Sequence, residues 1–319
     1  MAETVLITGG SGFIGRELTR SLIAEGEKVV IFDLKPPESL RAGDGPATFV
    51  RGDITNFSQV LNVVRDHTPD AIIHLAALLS EPSERNPWAS ISVNALGMYY
   101  MLEAARLFET KKVVFTSSMS VYVGAGSGVK VVTEETPQRS PLIYGITKTF
   151  SELLARYYHR KFRIDARGIR LPQLVGPNVE SPGFGQFNSL LIQSSILGKP
   201  FEVNVPEDTV IPLLYVKDAV RSLAMLYRAP EKELVTRIYN IGQIMPAPST
   251  AEIVEMVKRI CPGAHISFKP DPLATEVSRN TPKEIRCDEA HAEWDWSVQY
   301  SLEDMVRDFI ATLKESEGS

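Results

Sequence analysis

The chain has 319 residues, of which 44% are hydrophobic and 23% charged, a composition typical of a globular protein with a sizeable core. Its formal net charge of -5 argues against a surface that binds nucleic acid or anionic membranes. The N-terminal residues lack a basic segment and a cleavage site, and no apolar run is long enough to span a bilayer, so we expect a cytoplasmic protein.

The first half of the chain alternates short β-branched runs with segments of helical periodicity. This alternation is typical of a parallel sheet with helices on both faces. We therefore predict an α/β fold with a doubly wound parallel sheet, the Rossmann arrangement, and a smaller, mostly helical C-terminal lobe that binds the substrate. The predicted strands of the sheet are residues 5–7, 29–32, 48–50, 71–74 and 112–115.

Prolines and glycines are frequent from Pro172 onward, which indicates loops and the start of the second lobe. Within that lobe, Ser249 and Glu252 form a capping-box pattern at the start of a predicted helix, and residues 266–268 are a predicted strand. The predicted domains are a dinucleotide-binding domain over 1–175, to which 210–245 return, and a substrate lobe made of 176–209 and 246–319.

A glycine-rich segment lies directly between the first predicted strand and the first predicted helix. Gly9 allows a tight turn, Gly12 lets backbone N–H groups approach a pyrophosphate, and Gly15 lets the helix pack closely. Phe13 and Ile14 lie between the last two glycines and belong to the same predicted site. The segment is therefore a candidate phosphate-binding loop.

Two aspartates that follow predicted strands are candidates to bind the rest of a dinucleotide. Asp33 ends the second strand, where a carboxylate accepts hydrogen bonds from ribose hydroxyls and repels the 2′-phosphate of NADP. The sequence thus favours NAD, although Lys35 leaves the use of both cofactors open, and a structural turn with a surface aspartate is the alternative. Asp53 and Ile54 are candidates to contact the adenine, with a plain turn aspartate as a nearly equal interpretation.

Four side chains in the middle of the chain have the chemistry of an oxidoreductase. Tyr144 and Lys148 share one face of a predicted helix, and an ammonium together with a positive nicotinamide favours a phenolate, so Tyr144 is expected to accept a proton near neutral pH. Lys148 is also a candidate to hold the nicotinamide ribose. Ser117 and Ser118 end the fifth strand, where ligands bind in such folds. Singly, each pattern is common on ordinary surfaces; in this order behind the glycine loop they indicate catalysis.

These motifs, with Asn94 and the His-Leu-Ala-Ala segment from His74, together resemble the extended short-chain dehydrogenase/reductase family over essentially the whole chain. The resemblance implies that Ser118, Tyr144 and Lys148 are catalytic, that Tyr144 is the acid/base, and that a hydride moves to or from NAD. It also implies a homodimer through helices near residues 95–108 and 147–161. Asn94 is either a supporting polar residue or an ordinary helix residue. The residues that the resemblance further assigns to the cofactor are Leu75, Ala76, Ala77, Ser117 and Leu171.

Within this family, the second half of the chain is similar to the short-chain type of L-threonine 3-dehydrogenase. It lacks the asparagine and the arginine that nucleotide-sugar epimerases use on the diphosphate, and it departs from the threonine dehydrogenase pattern at Gln173. The resemblance makes Arg170 a candidate for a substrate carboxylate, with an interlobe salt bridge as the alternative. Ser80, Ser118 and Gln186 are further candidates for substrate contacts, and residues 183–186 are a candidate closing loop.

We therefore predict NAD-dependent oxidation of a secondary hydroxyl on a small polar substrate such as threonine. The alternatives are a nucleotide-sugar 4-epimerase or dehydratase that retains its NAD and, less favoured, a non-catalytic NAD sensor. The two cysteines and five histidines show no spacing typical of metal ligands, so no metal is expected. We also expect no nucleic-acid or membrane partner.

Overall fold

A computed structural model describes residues 2–37, 47–124, 129–177, 179 and 186–317, with side chains up to residue 314. Of the predicted closing loop, residues 183–185 lie outside the described residues. The strands are β1 (Thr4–Thr8), β2 (Lys28–Asp33), β3 (Ala47–Arg51), β4 (Ala71–His74), β5 (Lys112–Ser118), β6 (Val131–Val132), β7 (Asp165–Leu171), β8 (Gln173–Val175), β9 (Phe201–Val203), β10 (Leu213–Tyr215), β11 (Ile238–Asn240), β12 (Ile266–Phe268) and β13 (Glu284–Ile285).

Helices connect these strands. The α-helices are α1 (Phe13–Ala24), α2 (Phe57–His67), α3 (Ser80–Arg85), α4 (Pro87–Ser90), α5 (Gly97–Leu107), α6 (Ile143–Phe162), α7 (Phe187–Ile196), α8 (Val216–Arg228), α9 (Thr250–Ile260), α10 (Pro272–Arg279), α11 (Asp288–Trp294) and α12 (Leu302–Glu317). Short 3₁₀ turns occur at Met119–Tyr122 and Glu231–Glu233, and a π-helical turn at Ile91–Leu96 runs directly into α5.

The main sheet has seven parallel strands in the order β11-β7-β5-β4-β1-β2-β3. Its two faces bury different side chains because successive residues of a strand point to opposite sides. From β1, Ile7 packs in the cluster that contains Leu18 of α1 and Leu223 of α8, whereas Leu6 packs in the cluster that contains Val60 of α2 and Met101 of α5. The predicted doubly wound α/β fold is confirmed.

A third cluster of apolar side chains forms where α7, α9 and α12 pack beside two short strand pairs, β8-β10 and β9-β12. The pair β6-β13 packs in a separate small cluster with the 3₁₀ turn at Met119–Tyr122. The predicted capping box starts α9, since Ser249 and Glu252 each bond the other's backbone N–H. The predicted strand at 266–268 is β12. Strand β11 joins the main sheet beside β7, while the exact domain limits stay a prediction.

Within the described part of the chain, no helix is both long and apolar enough to cross a membrane. Over the same residues, no group of three His, Cys, Asp or Glu side chains is arranged to hold a metal ion. Cys261 and Cys287 are free thiols.

Candidate active site

The glycine loop between β1 and α1 is shaped by close backbone contacts. Gly9 has a φ of 71°, and a Cβ at this position would lie 2.7 Å from the backbone nitrogen of Ala76. A Cβ at Gly15 would lie 2.2 Å from the carbonyl oxygen of Gly9. Leu75 and Ala76, which follow β4, therefore pass directly against the loop, as expected for residues assigned to the same site.

The start of α1 fits a bound phosphate. Gly12 is the N-cap, and within the described residues no side chain caps the N–H groups of the first turn. The first turn also contains no acidic residue that would repel an anion. A Cβ at Gly12 would meet a single described atom, Gly9 O at 3.2 Å, so this side of the loop is open. Phe13 and Ile14, the first two residues of α1, pack their side chains against the core, and their part in cofactor binding stays a prediction.

Asp33 is the last residue of β2, and Asp53 follows β3 by two residues, as predicted. One Asp33 oxygen accepts a hydrogen bond from the Ser11 backbone at 3.0 Å, which holds the carboxylate beside the glycine loop. The Oδ1 atom of Asp53 accepts bonds from the backbone and the hydroxyl of Thr55, both at 2.8 Å. These bonds are those of a turn aspartate, so the contact of Asp53 and the buried Ile54 with adenine stays a prediction.

Ser118, Tyr144 and Lys148 meet at the carboxyl end of β5. The Ser118 hydroxyl donates to Ser120 Oγ at 3.1 Å and lies close enough to Tyr144 to oppose the rise of its pKa, and Lys148 Nζ lies 5.6 Å from the centre of the Tyr144 ring. Lys148 Nζ also donates to the Thr116 carbonyl at 2.8 Å, which fixes the ammonium against the last residues of β5. The structure thus brings together the three side chains that the sequence singled out as catalytic.

The surroundings of Tyr144 differ from the expectation drawn from the sequence. Burial raises the pKa of Tyr144 to about 12, and the neighbouring Ser118 hydroxyl acts in the opposite direction but is outweighed. Burial also lowers the pKa of Lys148 to about 8, against the opposing charge of Glu152. Burial therefore outweighs the favourable groups around Tyr144, and the expectation that Tyr144 accepts a proton near neutral pH with the help of Lys148 and the nicotinamide stays a prediction.

Two buried polar residues hold the segment after β4 in place. His74 Nδ1 lies 2.7 Å from Thr8 Oγ1, and burial together with the Lys148 charge lowers the pKa of His74 to about 3, so the ring is neutral. The Asn94 amide bonds the backbone of Leu78 in both directions, at 2.8 and 3.0 Å. It also donates to Thr147 Oγ1 at 3.3 Å. Asn94 thus joins this segment to α6, which favours its supporting role.

Arg170 is not placed to bind a substrate carboxylate. Its side chain is 2% exposed, and its Nε and Nη2 atoms donate to the two oxygens of Glu152 at 2.9 and 2.7 Å. Its Nη1 atom donates to the Tyr122 hydroxyl at 2.6 Å. The guanidinium is therefore occupied by a buried ion pair between β7 and α6, and this pair is not an interlobe bridge either.

The other predicted contacts fall into two groups. Ser117 is buried and donates to Glu152, on the side of β5 opposite Ser118, and Leu171 is buried at the end of β7. Ser80 is the first residue of α3 and is partly exposed, while Gln186 directly precedes α7. Ala77 is also partly exposed. The roles of these residues stay predictions.

Sequence reasoning missed the polar network of Arg170, in which Glu152, Tyr122 and Asn240 contact the guanidinium and Gln138 bonds Glu152. Glu152 was detectable, because it lies one helical turn after Lys148 on the same face of α6. Gln138, Tyr122 and Asn240 lie in a loop, a 3₁₀ turn and β11, which are distant from one another in the chain. No local sequence pattern therefore predicts their contacts.

Comparison with known proteins places the chain in a family. The model of the NAD dependent epimerase/dehydratase family matches residues 5–242. An uncharacterised epimerase/dehydratase of Staphylococcus haemolyticus is 29% identical over 322 residues, which cover 99% of this chain and 99% of that protein.

Solved structures of threonine dehydrogenases share the fold over nearly the full length. The L-threonine dehydrogenase of Clostridium difficile has a TM-score of 0.89 and 29% identity, covering 99% of this chain and 98% of that one. A monomeric L-threonine 3-dehydrogenase from a metagenome has a TM-score of 0.90 and 26% identity, covering 98% and 99% of the two chains.

The family match and the structural similarity extend well beyond the glycine loop, which by itself occurs in many unrelated enzymes. They agree with the resemblance inferred from the motifs, and they make the protein an enzyme, an NAD-dependent dehydrogenase or epimerase of the extended short-chain dehydrogenase/reductase type. The chain belongs to the NAD dependent epimerase/dehydratase family.

Proposed function

We propose that this protein is an NAD-dependent dehydrogenase that oxidises the secondary hydroxyl of a small hydroxy acid, with L-threonine as the leading candidate. The observation that carries the reaction type is the position of Lys148, whose Nζ is bonded to the Thr116 carbonyl and lies 5.6 Å from the centre of the Tyr144 ring, with Ser118 beside Tyr144. The similarity to L-threonine dehydrogenases along the full chain favours the substrate class.

In this proposal each side chain has a separate task. Ser118 donates a hydrogen bond to the substrate hydroxyl and holds it beside Tyr144. NAD, when bound at the glycine loop, supplies the acceptor for the hydride that leaves the carbinol carbon. Tyr144, as the phenolate, takes the hydroxyl proton, so that the substrate leaves as a ketone, and the Lys148 ammonium stabilises the phenolate. Because Tyr144 is protonated in its buried environment, it must release a proton before each oxidation.

The charges near the site favour a small substrate over a sugar nucleotide. A diphosphate requires cations or several donors. The sequence differs from the epimerases in residues 170–173 and 211–218, and the cations of these two segments are already paired: Arg170 with Glu152, and Lys217 with Asp308 at 2.6 Å. Since Arg170 is engaged, we assign the carboxylate of the substrate to neutral donors, with Ser80 and Gln186 as the candidates.

The carboxylate of Asp33 favours NAD over NADP. It is held beside the glycine loop by the Ser11 backbone, where it would repel a 2′-phosphate on the adenosine ribose. We therefore include a preference for NAD in the proposal.

We also propose that the protein forms a homodimer through α5 and α6. Ile146, Phe150, Leu153 and Tyr157 form an apolar stripe along α6, and each is more than 40% exposed. Tyr99 of α5 is exposed as well. A soluble chain seldom leaves such a stripe uncovered, although one similar enzyme is monomeric.

The deciding experiment follows NADH absorbance with hydroxy amino acids, hydroxy acids, free sugars and uronates, beside epimerisation assays with UDP-sugars. NADH formed from threonine supports the proposal, whereas epimers without net NADH move the protein to the sugar-nucleotide branch. Tyr144→Phe should reduce turnover by about 100-fold or more and leave NAD binding intact. Tyr157→Phe, on the exposed face of the same helix, is the matched control and should retain turnover; equal turnover in both variants would refute the role of Tyr144.

A further inference from the structure

The face of α6 that carries Tyr144 and Lys148 continues to Glu152, one turn beyond the lysine. This spacing repeats every four residues, so the three side chains lie on one side of the helix. Glu152 is 1% exposed. Burying a carboxylate this deeply destabilises the fold unless hydrogen bonds and an opposite charge compensate both oxygens.

Each oxygen of Glu152 accepts two hydrogen bonds. Oε1 accepts from Ser117 Oγ at 2.5 Å and from Arg170 Nε at 2.9 Å. Oε2 accepts from Gln138 Nε2 at 2.5 Å and from Arg170 Nη2 at 2.7 Å. The carboxylate is thus fixed from three elements, and one of them is the end of β5, directly before Ser118.

Few groups around Lys148 carry a negative charge that would stabilise its ammonium. His74 is neutral, since its pKa is about 3, and Tyr144 is neutral, since its pKa is about 12. Arg170 is positive. Of the residues that the structure describes, Glu152 is the one whose negative charge favours the Lys148 ammonium against burial.

We propose that Glu152 is a positioning residue of the catalytic centre: its fixed carboxylate keeps the Lys148 ammonium charged and, through Ser117, anchors the end of β5 that presents Ser118. Arg170 then serves to hold the carboxylate in place rather than to bind substrate. This inference rests on the proposed function only for the catalytic use of Lys148, and the electrostatic link between Glu152 and Lys148 is testable without any substrate.

One further group near this network titrates in the same range and must be controlled. Glu134 accepts a bond from the Asn240 backbone at 2.7 Å, and burial together with a hydrogen bond to Glu289 raises its pKa well above the usual carboxyl range. Asn240 and Arg170 both contact Tyr122, and a negative charge on Glu134 interacts favourably with the Arg170 guanidinium.

The test is an NMR titration of Lys148 in the full chain labelled with ¹³C-lysine, from about pH 6 to about pH 10, with the resonance identified by its loss in Lys148→Met. In the wild type we expect a midpoint of about 8. Glu152→Gln should lower it by about 1 unit or more, Glu152→Asp should largely restore it because the charge is kept, and Glu134→Gln should leave it unchanged.

Removing Glu152 alone leaves Arg170 buried and unpaired, which can prevent folding. Where the single variant fails to fold, the double variant Glu152→Gln with Arg170→Met, which has no unpaired charge, is compared with Arg170→Met, so that only the Glu152 charge differs between them. An unchanged Lys148 midpoint in the folded Glu152→Gln variant, or equal midpoints in Arg170→Met with and without Glu152→Gln, would overturn the proposal and leave Glu152 a purely structural residue.

A second measurement follows the pH profile of kcat for whichever substrate is turned over. Glu152→Gln should move the alkaline limb of the profile to lower pH by the same amount, with KM near neutral pH unchanged. If the Lys148 midpoint shifts but no substrate of the panel yields NADH, the proposed function fails while the link between Glu152 and Lys148 stands.

Discussion

The glycine loop allows stability and cofactor binding to be separated by two alanine substitutions. In Gly15→Ala the new Cβ would lie 2.2 Å from Gly9 O and 2.6 Å from Gly10 Cα, both backbone atoms that cannot rotate away. Overpacking of this kind costs about 1–3 kcal/mol, and the better helix propensity of alanine returns about 1 kcal/mol. We expect a net loss of roughly 1 kcal/mol, seen as a lower thermal midpoint in the absence of cofactor.

In Gly12→Ala the Cβ meets one described atom at 3.2 Å, so the free protein should lose no more than about 1 kcal/mol. The methyl group instead fills the open side of the loop, and a clash of about 1.4–2.8 kcal/mol with a bound pyrophosphate weakens NAD about 10- to 100-fold. Calorimetric titration with NAD measures this change. Gly263→Ala, which meets no described atom within 4 Å, is the control for the substitution itself. NAD binding of wild-type strength in Gly12→Ala would refute the phosphate assignment of this loop.

Three further results are expected. Asp33→Ser should decrease the preference for NAD over NADP by about tenfold or more, measured from the two dissociation constants; an unchanged ratio would exclude Asp33 as the discriminating residue. Lys148→Met should raise the thermal midpoint at pH 7. The pKa of Lys148 falls from 10.5 in the unfolded chain to about 8 in the folded protein, so between these pH values the unfolded chain binds more protons. The stability of the wild type therefore rises with pH over this range, and the difference in thermal midpoint between variant and wild type should shrink. A difference that stays constant over this range would contradict the lowered pKa of Lys148. Phe150→Asp should convert a dimer to a monomer in light scattering, and a wild type that is already monomeric would refute the proposed interface.

The local features of the site followed from the sequence. The glycine loop and Asp33 were recognisable because their neighbours in the chain form a strand, a turn and a helix, and each of these is set by local periodicity and turn chemistry. Tyr144 and Lys148 were recognisable for the same reason, since helix geometry alone puts residues four apart on one face. The parallel sheet followed from the alternation of strand and helix patterns, and it brought Ser118 to the edge where ligands bind.

The partners of these residues were decided by the tertiary structure. The sequence offered Arg170 as a cation for a substrate, but the pairing of β7 with β5 and the packing of α6 over the sheet place it against Glu152 and Tyr122. The same packing buries Tyr144 and raises its pKa, which no spacing reveals because desolvation depends on every element around the ring. The sequence therefore identified which residues form the site. Their protonation states, and whether they are free to bind a substrate, depend on contacts between residues that are far apart in the chain.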